Sequence, residues 1–331
     1  MTRLDKLSKT DILNLKVKDL SLDFNKDQKA IIKVFYARLK EKNINWRPHI
    51  WASDEWFSPD GIGGIALPFI LLHPRLIKLE KEFLGECEGE KKKEFFKLLC
   101  HEAGHAIDNA FKLRLKKKRQ NIFGLSSKRY PSSYRPKTHT TEFVNFLGDH
   151  YAQAHPDEDW AETFGVWLST DNWKQAYKGT IALEKLNYID EVMKELAFSA
   201  PKNTKRNTYL SYKNDKRTVK QYLIQKQKSL NKNRKNFYTD KLSPIFTNEV
   251  SASKAVSYLN KNKFRILLDL QSKTNEDIWN LTRSYEELKQ ECKKNKYALK
   301  FNEQATEIKI KKLLQSTIND YKKAGNTRIY M

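Results

Sequence analysis

Long apolar runs are missing from this 331-residue chain. No window approaches about 18 uncharged apolar residues, which excludes a membrane-spanning helix. Cysteine is scarce: Cys87, Cys100 and Cys292 make no CxxC pair and no disulfide framework, so the expected compartment is a reducing cytoplasm. The opening residues, MTRLDKLSKTDILNLKVKDL, lack an apolar signal-peptide core and carry acids. No segment repeats, and no recognised DNA-binding motif occurs.

Acidic charge is short in the second half. Residues 201–331 hold 30 Lys+Arg against 12 Asp+Glu, a net +18, whereas the first 200 hold 33 and 28, a net +5. Such a bias speaks to partners and solubility, not to fold. Lys and Asn are also abundant throughout, as biased genome composition would produce. Apolar residues at 39% and aromatics at 12% supply one large core or two modest ones, and a mean hydropathy of −0.76 fits a water-facing chain.

Residues 1–20 read as a polar lead-in. Helical spacing of Ile31, Val34, Phe35 and Leu39 predicts a helix over 27–42. IWASDEWF (50–57) and GIGGIALPFILL (61–72) read as extended, separated by an Asp60-Gly61 turn. Gly61, Gly63 and Gly64 do not open a helix, so they make a poor phosphate loop. A strong helix is expected over 90–114. The stretch 115–140 reads as loop, with a basic run at 116–119 and Pro131 and Pro136 barring a helix between them. Another helix opens after Pro156, where acids crowd the first turn and complement the helix dipole. Further helices are expected over 181–197, in part of 203–241, and over 251–324.

The informative residues are His101-Glu102-Ala103-Gly104-His105, an HExxH motif inside a predicted helix. Positions i and i+4 share one helix face, so the two imidazoles can hold one Zn²⁺. Glu102, at the edge of that face, can act as general base without coordinating. A catalytic zinc needs a third protein ligand. The candidates are His139, His150, His155, Glu158 and Glu162. Glu158 and Glu162 also stand i, i+4 on a predicted helix, which suits one ligating carboxylate and a second that hydrogen-bonds a zinc histidine. The rest of that helix is apolar (Trp160, Ala161, Phe164, Val166, Trp167, Leu168), and buried acids need a cation nearby. His150 and His155 precede Pro156 and suit a turn or a substrate cleft better. Asp108 shares the stripe of His101. It would either orient a ligand histidine or cap buried polar groups. Cys100 reads as a buried small apolar residue. The strand ending near Gly61–Leu67 is either an edge that pairs with extended substrate or simple core.

The stretches SDEWFSPDGIGGIALPFILLHPRL (53–76), HEAGHAIDNA (101–110), RYPSSYRP (129–136) and HYAQAHPDEDWAETFGVWL (150–168) together resemble a bacterial family of zinc-binding metallopeptidases. That family has a zincin-like fold of the HExxH…ExxxE gluzincin type. The resemblance covers roughly 50–200 and is looser beyond. A sister group carries an N-terminal Cys-rich zinc ribbon, which is absent here. The block EDWAE is similar to the third-ligand helix of the lethal-factor and Pro-Pro endopeptidase zincins. That likeness implies Glu158 as ligand and Glu162 as support for a histidine. It also implies Tyr151, seven residues before the ligand Glu, as oxyanion donor, with Tyr130 and Tyr134 as rivals.

The expectation is therefore an α+β protein. A zincin-like catalytic domain covers 21–198 and a C-terminal basic all-helical domain covers 199–331. The expected activity is that of a zinc metallopeptidase, an endopeptidase with one Zn²⁺ per chain, acting on peptide or protein substrates. His101, His105 and Glu158 hold the metal, Glu102 and Tyr151 are catalytic, and Glu162 and Asp108 support. The rivals are a nucleic-acid-associated basic protein with a secondary zinc site, and a structural zinc site without catalysis. Tyr209, Tyr212, Tyr222 and Tyr238 among the basic residues favour the first rival, with weak, sequence-independent binding that falls steeply with salt. The apolar positions Leu267, Leu268, Ile278, Leu281, Leu288, Ile308, Leu313, Leu314 and Ile318 predict helices that pack, with the catalytic domain the nearest surface for them.

Overall fold

A computed structural model describes residues 3–131, 133–232, 238, 241–249, 254–274, 276, 278–323 and 329–330. The protein is mostly helical with small sheets, an α+β arrangement in the broad sense. No described helix is long and apolar enough to cross a membrane. Compactness divides the chain into two units, Met1–Asn231 and Lys232–Met331.

The first unit is built around helix α4. In chain order its elements are α1 (Lys9–Asn14), α2 (Lys26–Glu41), β1 (His49–Ser53), β2 (Gly64–Pro68), α3 (Pro74–Leu84) and α4 (Lys92–Phe111). There follow α5 (Lys117–Phe123), α6 (Pro156–Ser169), α7 (Trp173–Ala176), α8 (Ala182–Leu196) and α9 (Val219–Lys232). Phe95, Leu99, Ala103, Ala106, Ile107 and Ala110 recur at spacings of three and four along α4 and are buried in one core. α6 begins at Pro156, and its N-cap His155 accepts the Asp157 N–H on Nδ1. α4 and α6 pack closely because Gly104 has no side chain: a Cβ there would lie 2.8 Å from Ala161 Cα. Trp160 Nε1–H donates to the Gly104 carbonyl at 2.8 Å across the same contact.

β1 and β2 pair in parallel, His49 opposite Gly64 through Ser53 opposite Pro68. All five β2 residues are buried. Its other side is taken at Ala66, whose N–H donates to the Phe57 carbonyl (2.8 Å) and whose carbonyl accepts the Phe57 N–H (3.4 Å). Of the two readings of Gly61–Leu67, the core one describes what is seen: the backbone groups at Ala66 are already paired and β2 is buried.

Three expectations change. Residues 1–20 are no loose lead-in: Leu4, Ile12, Val17 and Leu20 are buried, and Val17 N–H donates to the Arg217 carbonyl at 2.9 Å. The stretch 199–231 joins the first unit instead of a C-terminal domain. Val219, Tyr222 and Leu223 enter its core, and Lys226 pairs with Glu55 (3.0 Å) and with buried Glu80 (2.8 Å). Residues 117–123, read as loop, form α5, and its Arg119 faces inward toward the Asp108 and Asp157 carboxylates.

The second unit holds α10 (Ala255–Thr274), α11 (Ile278–Lys294), α12 (Glu303–Lys323) and a two-stranded antiparallel pair, β3 (Phe246–Thr247) with β4 (Ala298–Leu299). The apolar faces form a core of their own, with Leu259, Ile266, Leu281, Leu288, Ile310 and Leu314 among its members. Leu268 and Ile308, expected to pack, are exposed.

Candidate metal centre

α4 sets His101 and His105 one turn apart with ring centroids 5.0 Å from each other. Glu158, in the first turn of α6, points between them. Its Oε2 lies 3.1 Å from His101 Nε2 and 3.3 Å from His105 Nε2. The donor atoms of these three residues all fall within 4.8 Å of one another, close enough to hold one cation. Two imidazoles and one carboxylate suit Zn²⁺ and leave a coordination position open.

Glu162, one turn along α6, is fully buried. Its Oε1 lies 3.2 Å from His101 Nδ1, placed to accept its N–H, while His101 Nε2 faces Glu158. Its Oε2 accepts the Phe146 N–H at 2.8 Å, and the Leu147 N–H lies 3.2 Å from both oxygens. Glu162 thus fixes an imidazole on one side and a backbone turn on the other.

Burial opposes charge on His101, but the Glu158 and Glu162 carboxylates outweigh it and hold the imidazole pKa well above its usual value. Burial likewise opposes ionised Glu158, yet the two histidines hold it well below the carboxylate range. Ionised Glu158 suits a divalent cation, and the two imidazoles, held protonated by the same carboxylate, would give up their protons on binding one. Glu102 differs: burial pushes its carboxyl up against the pull of His101 and His105. Its Oε2 is buried with no hydrogen-bond partner.

Three tyrosines lie nearby in different roles. The Tyr151 ring sits 5.8 Å from the His101 ring, centroid to centroid. Burial and the Glu158 charge push its phenol pKa up, so it stays a proton donor. Tyr130 O–H donates to Glu158 Oε1 at 3.0 Å, a contact the sequence did not reveal. Tyr134 O–H donates to the Asp149 carbonyl at 3.0 Å.

The remaining candidates fall outside this cluster. His155 uses both ring nitrogens, Nδ1 accepting from Asp157 and Nε2–H donating to the Lys128 carbonyl (2.8 Å), and it stacks on Tyr130 at 3.7 Å. His150 stands in a left-handed turn at φ 54°, and its N–H donates to Asn145. His139 is exposed. Asp108 is turned away from the histidines. It accepts from Arg114 N–H (2.6 Å) and from Arg119 Nη2 (3.1 Å), so of its two readings the capping one describes its bonds. Arg119, read only as part of a basic run, is fully buried and also bonds Asp157 at 2.7 Å, on the helix that carries Glu158. Nothing short of the fold distinguishes it from Lys117 and Lys118. Cys100 is buried, and burial pushes its thiol pKa up. Gly61 N–H donates to Asn109 Oδ1, and Gly63 packs against Trp46 and Ala110, which is turn and packing work.

Comparison with known protein families, with curated proteins and with solved structures returns no match for this chain.

Proposed function

We propose that the protein is a zinc-dependent metallopeptidase with a zincin-like catalytic arrangement. The observation that carries this reading is the convergence of His101, His105 and Glu158 donor atoms beside the unpartnered buried Oε2 of Glu102. His101 Nε2, His105 Nε2 and a Glu158 oxygen would hold Zn²⁺, which supplies Lewis acidity toward a scissile carbonyl and acidifies water. Glu102 takes the proton of the attacking water and passes it to the leaving amine. Its raised pKa suits a group that must both take and return a proton. Tyr151 donates a hydrogen bond to the developing oxyanion. Glu162 keeps His101 in the tautomer that leaves Nε2 free. Tyr130 orients the Glu158 carboxylate.

Cleavage profiling on an unbiased peptide library tests the reading. Wild-type protein should cut internal peptide bonds and lose this on chelation. Glu102→Gln should retain zinc and lose turnover, because an amide cannot take the proton. A Glu102→Gln protein that cuts as well as wild type would overturn the reading.

A further inference from the structure

A cavity in the first unit is lined in part by Phe146, whose N–H donates to Glu162. Its volume is about 430 Å³, within the range of small-molecule sites. α4 contributes Lys93, Phe96 and Lys97, the turn before α6 contributes Phe146, and the α7 end contributes Ala176 and Tyr177. Two lysines and three aromatic rings thus share the lining with Asn145, Val166, Ser169 and Thr170, and no acidic side chain lines the cavity among the described residues.

The cavity is wired to the candidate metal centre by hydrogen bonds. Lys97 Nζ donates to the Phe146 carbonyl and sits 4.7 Å above the Phe146 ring. Phe146 and Leu147 donate their N–H groups to Glu162, and Glu162 Oε1 lies 3.2 Å from His101 Nδ1. Phe146 has little room to shift toward α6, because its ring occupies the space a Cβ on Gly165 would take, at 2.4 Å.

We infer that this cavity binds an amphipathic small anion, a carboxylate or sulfonate carrying an aromatic or alkyl body, and that its occupancy acts on His101. The anion pairs with Lys93 and Lys97 at the mouth while its apolar part lies on Phe96, Phe146 and Tyr177. A hydrogen bond from the Lys97 ammonium to an anion, with charge on both partners, competes with the one it makes to the uncharged Phe146 carbonyl. Loss of that contact loosens the 146–147 turn that holds Glu162. The binding half stands without the metallopeptidase reading. The coupling half concerns the same imidazole, so it is read without metal.

The test uses the full-length, metal-stripped protein and 8-anilino-1-naphthalenesulfonate as fluorescent probe. One saturable site is expected, emptied by decanoate and not by an equal concentration of decanol. Lys93→Gln and Ala176→Trp, both at exposed positions that should leave folding intact, should weaken the probe at least tenfold with unchanged melting temperature. Lys97→Met should do the same if it folds. Unchanged affinity in Lys93→Gln and Ala176→Trp, or no saturable binding, overturns the site. For the coupling, His101 ring resonances should shift on saturation with decanoate, and resonances that stay put overturn it. Because zinc is absent from both measurements, their failure is distinct from failure of the metallopeptidase reading, which zinc content and peptide cleavage decide.

Discussion

Gly104 and Ala161 bring the two histidine- and carboxylate-bearing helices together: the space for a Cβ on Gly104 is occupied at 2.8 Å by the Ala161 backbone. The glycine inside the HExxH motif therefore sets the distance from which Glu158 reaches both imidazoles. Gly104→Ala should cost about 1–3 kcal/mol in stability, the range for overpacking, even though alanine is the better helix former. It should also weaken zinc binding. Urea denaturation and zinc titration of the variant check both effects, and a stabilised variant with wild-type zinc affinity would contradict the close approach.

Glu158 and Glu162 separate by role. Glu158→Ala should empty the site, whereas Glu162→Ala should weaken zinc by about 10–100-fold, as loss of a partner that orients a ligand does. Competition with a chromophoric chelator measures this. A full site in Glu158→Ala with an empty one in Glu162→Ala would reverse the assignment.

Tyr151→Phe should keep fold and zinc and lose about 10²–10³ in rate, the scale of one oxyanion donor. Tyr130→Phe removes only the hydrogen bond to Glu158 Oε1, so its main effect should be on zinc affinity. Near-normal turnover in Tyr151→Phe with a large loss in Tyr130→Phe would exchange the two roles.

Arg119→Met should be among the most destabilising single changes in the first unit. It leaves Asp108 and Asp157 buried without their shared cation, and breaking one side of such a pair costs about 3–5 kcal/mol. The melting temperature reads this. A loss under about 1 kcal/mol would show that water replaces the guanidinium.

Acid stability has a readable contribution at Asp190. Burial would raise its carboxyl pKa, but hydrogen bonds from Lys194 and from Trp167 Nε1–H outweigh that and leave it lowered. A lowered folded pKa gives stability that is full above the unfolded value near 3.9 and is lost as pH falls through the folded value. Asp190→Asn should therefore destabilise at neutral pH and flatten the melting-temperature profile below about pH 4. Equal wild-type and variant profiles across that range would remove the contribution.

The helices that carry the site were legible because apolar spacing, Pro156 and the HExxH and ExxxE spacings are local signals. α4 and α6 sit where that spacing places them. What escaped the sequence depends on distant partners. Val17 is polar-flanked and looks peripheral until Arg217 accepts its N–H, and Arg119 looks like one of a basic run until Asp108 and Asp157 enclose it. β2 reads the same as edge or core, and only Phe57 pairing with Ala66 decides between them. Tyr130 reaches Glu158 across 28 residues of irregular chain, a contact no periodicity encodes.

X-ray absorption at the zinc edge of the full-length protein tests the metal centre most directly. The account expects about one zinc per chain with nitrogen and oxygen neighbours only, at about 2.0–2.2 Å, two of them imidazoles, and loss of the metal in His105→Ala. Sulfur neighbours, a closed shell of four protein ligands, or zinc retained in His105→Ala would contradict it.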